Sequence, residues 1–205
     1  ISLPFLEELL KREEVAAVIT QPDRPALRGQ KTQKSPVKIL AESRGLSVLQ
    51  PARLKNPEFL RSLEALRPDL GVIVAYGRIL PPEAIRIFPK GVYNLHFSLL
   101  PHLRGGAPIQ WAILRGDAGT GVTIFRISES LDSGNVLVQK KIGISQTDNA
   151  ENLEEKLISL GLVALEEACT LIRSGSAQQR PQEGTPSSAP LIKKEDGRID
   201  WSRPA

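Results

Sequence analysis

The sequence predicts an α/β fold: an open, mostly parallel twisted sheet with helices on both faces. Helical periodicity and short apolar runs alternate along the 205 residues, the pattern of strand–helix–strand units joined by right-handed crossovers. GVIVAY at 71–76 is continuously apolar, as a central strand covered on both sides should be. Pro36, Pro57, Pro82 and Pro108 each stand at or near a predicted helix start, where a missing N–H costs least.

Taken in order, helical spacing of apolar residues recurs at about 4–12, 36–44, 57–67, 82–88, 108–115 and 150–173. Short apolar runs that read as strands lie between these helices at 15–20, 46–49, 70–75, 91–97, 121–127 and 135–144. From Arg180 to Pro190 the sequence RPQEGTPSSAP is polar and rich in Pro and Ser, so it is expected to be an extended linker rather than a packed element. No internal repeat is visible.

Composition narrows the function classes. At 40% hydrophobic and 24% charged residues the chain is ordinary globular material, long enough to bury roughly 70% of its unfolded surface. No apolar run approaches the ~20 residues that cross a bilayer, so no membrane partner is expected. The single Cys169 excludes an internal disulfide framework; it is expected to be an inert core thiol in a reducing, cytoplasmic setting. A Walker glycine loop, HExxH and paired cysteines are all missing, so nucleotide hydrolysis and zinc chemistry are not indicated and no metal is expected. The net charge of +4 suits a polyanionic partner without requiring one.

The chemistry concentrates in GVYNLHFSLLPHLRGGAP, residues 91–108. Side chains alternate along a strand, so Asn94, His96 and Ser98 share one face before Leu99, Leu100 and Pro101 turn the chain. Polar groups at a strand's carboxyl end followed by a Pro and Gly bend are arranged as active sites are in open α/β sheets. A second polar element, LDSG, carries Asp132 between two runs rich in β-branched residues, from where a carboxylate can face the histidine. Ser98 beside His96 is not on a GxSxG elbow, which argues against a hydrolase.

These residues resemble the folate-dependent formyltransferase family. The family pattern is Asn, any residue, His, any residue, SLLP, then RG and AP, later TGVT and LDxG. This chain supplies Asn94, His96, Ser98 to Pro101, Arg104, Gly105, Ala107, Pro108, Thr120 to Thr123, Leu131, Asp132 and Gly134. TQPDRP at 20–25, SPVK at 35–38 and AYGRILP at 75–81 are the further segments of the branch that acts on transfer RNA. The chain departs from the usual pattern at Leu27, at His102 and Leu103, and at Gly119; His102 is expected to be a surface residue.

The resemblance implies a Rossmann-like catalytic domain over 1–175 and an extended linker over 176–205 leading toward a C-terminal domain. It also implies that a glycine-bearing strand precedes the first helix, so that the chain is expected to be truncated at both ends. The implied reaction moves the formyl group of 10-formyltetrahydrofolate, as a donor substrate, to the α-amine of methionyl initiator tRNA, by a monomer. An amino-sugar nucleotide or glycinamide ribonucleotide is the alternative acceptor, and an inactive folate- or RNA-binding fragment is the alternative from another class. In the implied site, Asn94 and His96 stabilise the oxyanion, and Asp132 favours the imidazolium and helps carry the proton. Folate is read by Tyr76, Gly77, Ile79 and Leu80 and by the 98–101 turn. A basic loop with Arg24, Arg28, Lys31 and Lys34 grips the RNA through phosphate contacts.

Overall fold

The computed structural model describes residues 1–25, 32–128, 130–198 and 201. Helix α1 (Leu3–Arg12) leads to strand β1 (Ala17–Ile19) and a short antiparallel hairpin of β2 (Arg24–Pro25) and β3 (Thr32–Gln33). Then follow α2 (Pro36–Ser43), β4 (Ser47–Leu49), α3 (Pro57–Ala65), β5 (Gly71–Val74), α4 (Pro82–Ile85) and β6 (Val92–His96). The chain continues with α5 (Pro108–Leu114), β7 (Gly119–Arg126), β8 (Val136–Gly143) and α6 (Ala150–Arg173).

Local chemistry sets the helix starts. Pro36, Pro57, Pro82 and Pro108 all occupy first-turn positions. The Ser35 hydroxyl accepts from Lys38 N–H, and the Asn56 side chain accepts from Glu58 N–H. The longest helix, α6, opens with a reciprocal cap in which Asn149 and Asn152 each satisfy the other's backbone.

Strand β1 pairs with β4 in parallel, and β5 pairs with β6 in parallel, whereas β7 runs antiparallel to both β6 and β8. The β7–β8 hairpin follows from its connection: only residues 127–135 separate the two strands, too few for a crossover helix. Tyr93, Leu95 and Phe97 point to one face and join Phe5, Leu157 and Leu165 in the main core. On the other face Val92 meets Phe59, Leu63 and Phe88. This second cluster stops at Val92, so the face beyond it is left to Asn94 and His96.

Between β1 and β5 lies a cleft of about 1070 Å³, lined by Phe5, Leu6, Val18, Phe59, Leu63 and Val72 among others. Among the described residues, β1 has a partner only in β4 and β5 only in β6, so two strand edges face this cleft. Cys169 lies at its border, half-buried, and burial together with the nearby Glu13 carboxylate pushes its thiol up to about 11. No helix among the described residues is long and apolar enough to cross a membrane.

The stretch read as an unpacked linker is extended but docked. Val136 and Arg180 exchange backbone hydrogen bonds at 2.8 and 2.9 Å, and Arg104 receives Ala189 N–H at 2.7 Å while donating to Ser187 at 2.8 Å. Ala189 is fully buried. Backbone pairing is indifferent to side-chain polarity, so a polar, Pro-rich segment packs here without any hydrophobic signature.

Candidate active site

Strand β6 presents Asn94 and His96 on one face, roughly 7 Å apart along the strand. His96 is buried, whereas Asn94 is partly exposed and its side-chain amide has no hydrogen-bond partner among the described residues. His96 Nε2 lies 2.8 Å from the carbonyl oxygen of Leu103. A carbonyl only accepts, so Nε2 carries a proton and Nδ1 is the nitrogen left for chemistry.

That free nitrogen faces Asp132, with Nδ1 3.9 Å from Oδ2. The gap is too long for a direct hydrogen bond. The two groups therefore meet as the sequence suggests, but the electrostatic balance differs from the expectation of an imidazolium. Burial holds the His96 pKa below its ordinary value; the Asp132 charge and the Leu103 hydrogen bond pull upward and are outweighed. His96 rests as a neutral imidazole.

Asp132 is held from several sides. Its Oδ2 accepts from Gly105 N–H at 2.8 Å, and its own carbonyl accepts from Gln182 Nε2 at 2.8 Å. Its φ of 47° is left-handed, a conformation Asp tolerates better than most residues. Two positions on, a Cβ on Gly134 would sit 1.7 Å from the Arg126 carbonyl oxygen, so only glycine fits there. Leu103, whose carbonyl fixes the histidine, is also left-handed, at φ 59°. Two of the four left-handed non-glycine residues among those described, Leu103 and Asp132, are thus His96 partners.

The 98–101 turn is largely occupied by its own bonds. Ser98 is fully buried; its hydroxyl donates to the His102 carbonyl at 2.5 Å and its carbonyl accepts from Thr123 Oγ1 at 2.6 Å. The carbonyls of Leu99, Leu100 and Pro101 accept from His102 N–H, Gln139 Nε2 and Ser187 N–H. Leu100 and Pro101 are buried and Leu99 half-buried. The turn's carbonyls and the Ser98 hydroxyl are therefore already engaged within the protein.

Residues 75–80 leave the sheet beside His96, because Val74 of β5 is in register with Leu95 of β6. Tyr76 gives its carbonyl to Gln21 Nε2 at 2.8 Å, and its buried hydroxyl has no hydrogen-bond partner among the described residues. Gly77 is left-handed at φ 74°, Ile79 is 75% exposed, and Leu80 packs against the smaller core. Arg78 is tied to the Pro51 and Ala52 carbonyls.

Of the basic residues, Arg28 and Lys31 lie outside the described residues, as does Leu27, and Arg24 is described only as backbone of β2. Lys34 is exposed and pairs with Glu42 at 2.7 Å. His102 lies at the surface as expected, its side chain 39% exposed, but it is tied down there. Its Nε2 contacts Asp117 at 2.9 Å and its Nδ1 contacts Ser187 Oγ at 2.8 Å. Sequence reasoning also missed Leu103 and Gln182: a carbonyl's role leaves no trace in residue type, and Gln182 lies 50 residues from the turn it holds.

A model of the formyl transferase family matches residues 6–169. The chain is similar to the methionyl-tRNA formyltransferase of Geotalea daltonii, 45% identical over 202 residues, which are 98% of this chain and 65% of that protein. It thus spans about 65% of that relative's length. Among solved structures it resembles the formyltransferase PseJ of Anoxybacillus kamchatkensis, crystallised with a formamido sugar nucleotide and tetrahydrofolate. The identity there is 27% and the TM-score 0.64, over 88% of each chain. The phosphoribosylglycinamide formyltransferase of Bacillus halodurans shares the Rossmann-like fold at 24% identity and TM-score 0.70, over 85% of this chain and 91% of that one.

Proposed function

This chain belongs to the formyl transferase family, and we propose that it transfers the formyl group of 10-formyltetrahydrofolate to the α-amine of methionyl initiator tRNA. The observation that carries the chemistry is the convergence of His96 and Asp132 with only Nδ1 free between them, on the face that also presents Asn94. The amine lone pair attacks the formyl carbon, and the carbonyl electrons move to oxygen. Asn94 donates an amide N–H to that oxyanion, an interaction worth about 3 kcal/mol where water is excluded. The amine proton passes to neutral His96 Nδ1, directly or through one water, and Asp132 stabilises the imidazolium so formed. As the bond between the formyl carbon and the folate nitrogen breaks, the imidazolium returns its proton to that nitrogen.

The residues fit the donor. The hydroxyl of Tyr76 and the amide of Asn94 both lack a partner among the described residues, and PseJ is described with tetrahydrofolate. Support for the RNA acceptor is the 45% identity to a methionyl-tRNA formyltransferase. The root of the basic hairpin also bonds to the 75–80 loop through Gln21 and Tyr76. Lys34 can exchange Glu42 for a phosphate because exposed ion pairs are worth little.

The test is transfer of labelled formyl groups to methionyl initiator tRNA, an amino-sugar nucleotide and glycinamide ribonucleotide side by side. Formylation of the RNA, lost by about 100-fold or more in His96→Ala with the circular dichroism spectrum unchanged, is expected. Transfer to another acceptor alone overturns the acceptor, and undiminished turnover in His96→Ala overturns the mechanism.

A further inference from the structure

We infer that Gln182 is a positioning residue for this site: its side-chain amide clamps the turn carrying Asp132 to Arg104 and so keeps the carboxylate in front of His96. The inference rests on the proposed function for its catalytic consequence. Gln182 lies in the docked 176–190 stretch, beyond the 6–169 region that the family model matches.

The amide uses all of its hydrogen-bonding capacity. Nε2 donates to the carbonyls of Asp132 at 2.8 Å and Gly134 at 2.9 Å, while Oε1 accepts from Arg104 Nη2 at 2.6 Å and Nε at 3.2 Å. Two acceptors on one side and a guanidinium fork on the other leave one orientation of the amide that satisfies both. Arg104 is itself paired with the backbone of Ser187 and Ala189, and the Val136–Arg180 bridge fixes the chain two residues before Gln182.

Three features make this a device for the site. The Asp132 turn is in a left-handed conformation that persists only where its surroundings over-determine it, and Gln182 supplies two of the bonds that hold it. Arg104 is flanked by Leu103, whose carbonyl fixes His96 Nε2, and by Gly105, whose N–H holds Asp132 Oδ2. One amide therefore bridges the segment that orients the ring and the segment that faces its free nitrogen. The approach is close: a Cβ on Gly105 would lie 2.5 Å from the Ala189 carbonyl oxygen.

The test uses the full chain with Gln182→Glu and Gln182→Met. Glu keeps an acceptor for Arg104 but offers only oxygens to two carbonyl oxygens, and Met removes both sets of bonds. Histidine resonances followed by NMR read the His96–Asp132 geometry independently of turnover. Asp132 is the charged group facing the ring, and the Leu103 carbonyl is its other polar neighbour. In Gln182→Met His96 is expected to titrate at lower pH than in the wild type, approaching Asp132→Asn; Gln182→Glu brings a carboxylate of its own and is read by turnover. Turnover is expected to fall on the order of 10- to 100-fold, with the KM for the formyl donor within about twofold. In an Asp132→Asn background, Gln182→Glu is expected to add little, because both changes remove the same interaction. An unchanged His96 titration overturns the inference, as does an undiminished loss in the Asp132→Asn background. A shifted titration in a protein that formylates no amine upholds the clamp and overturns the proposed reaction.

Discussion

His96 commits its Nε2 proton to the carbonyl oxygen of Leu103, 2.8 Å away, and that bond decides which ring nitrogen is left free. With Nε2 committed to an acceptor, Nδ1 holds a lone pair toward Asp132 at 3.9 Å. Burial keeps the ring neutral at rest, while the nearby carboxylate is placed to stabilise the ring once it has taken a proton.

Replacing Asp132 by Asn tests this division of labour with little change of shape. Asn tolerates the left-handed backbone and still accepts from Gly105 N–H. Turnover is expected to fall about 100-fold. Because Asp132 raises the His96 pKa against burial, its removal lowers that pKa further. Activity that requires neutral His96 is lost below this pKa, so the acid limb of the kcat/KM profile moves to lower pH. A limb that stays in place or moves upward refutes the assignment.

The same burial predicts how stability depends on pH. The folded pKa of His96 lies below the ordinary value of 6.5, so the unfolded chain binds a proton that the folded chain refuses. This contribution costs nothing above 6.5 and grows as pH falls from there toward the lowered folded value. His96→Asn is therefore expected to flatten the decline of Tm on the acid side. Parallel Tm–pH curves for the two proteins contradict it.

Helix starts were legible in the sequence because their causes are local: Pro36, Pro57 and Pro82 follow Ser35, Asn56 and Pro81, and only neighbours matter. The shared face of the candidate site was legible because strand alternation places Asn94 and His96 together whatever surrounds them. The net state of His96 was not, since depth of burial is set by the whole chain. The docked stretch around Gln182 escaped for a related reason: Ser187 bonds His102 across 85 residues, and neither residue type announces such a pairing.

Gly134 tests the steric logic of the Asp132 turn. A methyl group at this position collides with the Arg126 carbonyl at 1.7 Å, an atom the β7 ladder holds in place. Gly134→Ala is expected to cost about 2 kcal/mol of stability, or ~4–8 °C in Tm for a chain of this size. The Gln182 bonds to the Asp132 and Gly134 carbonyls shift with it, so activity falls even at temperatures where the variant is fully folded. Calorimetry and assay of the same sample separate the two effects.

The cleft between β1 and β5 predicts a gain rather than a loss. Among the described residues two parallel pairs expose facing edges across a space of about 1070 Å³, an arrangement that one further strand would satisfy with backbone bonds on both sides. Fusing an apolar, β-branched segment of about five residues and a short turn ahead of Ile1 is expected to raise Tm by several degrees. Binding of a hydrophobic dye should fall in step. A Gly/Ser segment of equal length serves as the control, and an equal rise with it removes the case for strand insertion.

Lys38 links the basic hairpin to the site. Its side chain, 11% exposed, reaches Asp23 Oδ2 and Gln50 Oε1, each at 2.6 Å. Gln50 Nε2 in turn holds Asp23 Oδ1 and the Gln21 carbonyl, and Gln21 holds Tyr76. The Lys38 ammonium, with help from Gln50, keeps the Asp23 carboxyl below its ordinary range. Lys38→Met preserves the apolar stem but leaves Asp23 without its hydrogen-bonded cation, so the hairpin root loosens at one end while β6 and the Asp132 turn are untouched. The KM for methionyl initiator tRNA is expected to rise about tenfold with kcat near that of the wild type, since phosphate contacts set register and affinity rather than chemistry. Lys38→Arg should recover most of the affinity, whereas a kcat defect in Lys38→Met with unchanged RNA affinity would assign the network to the folate loop instead.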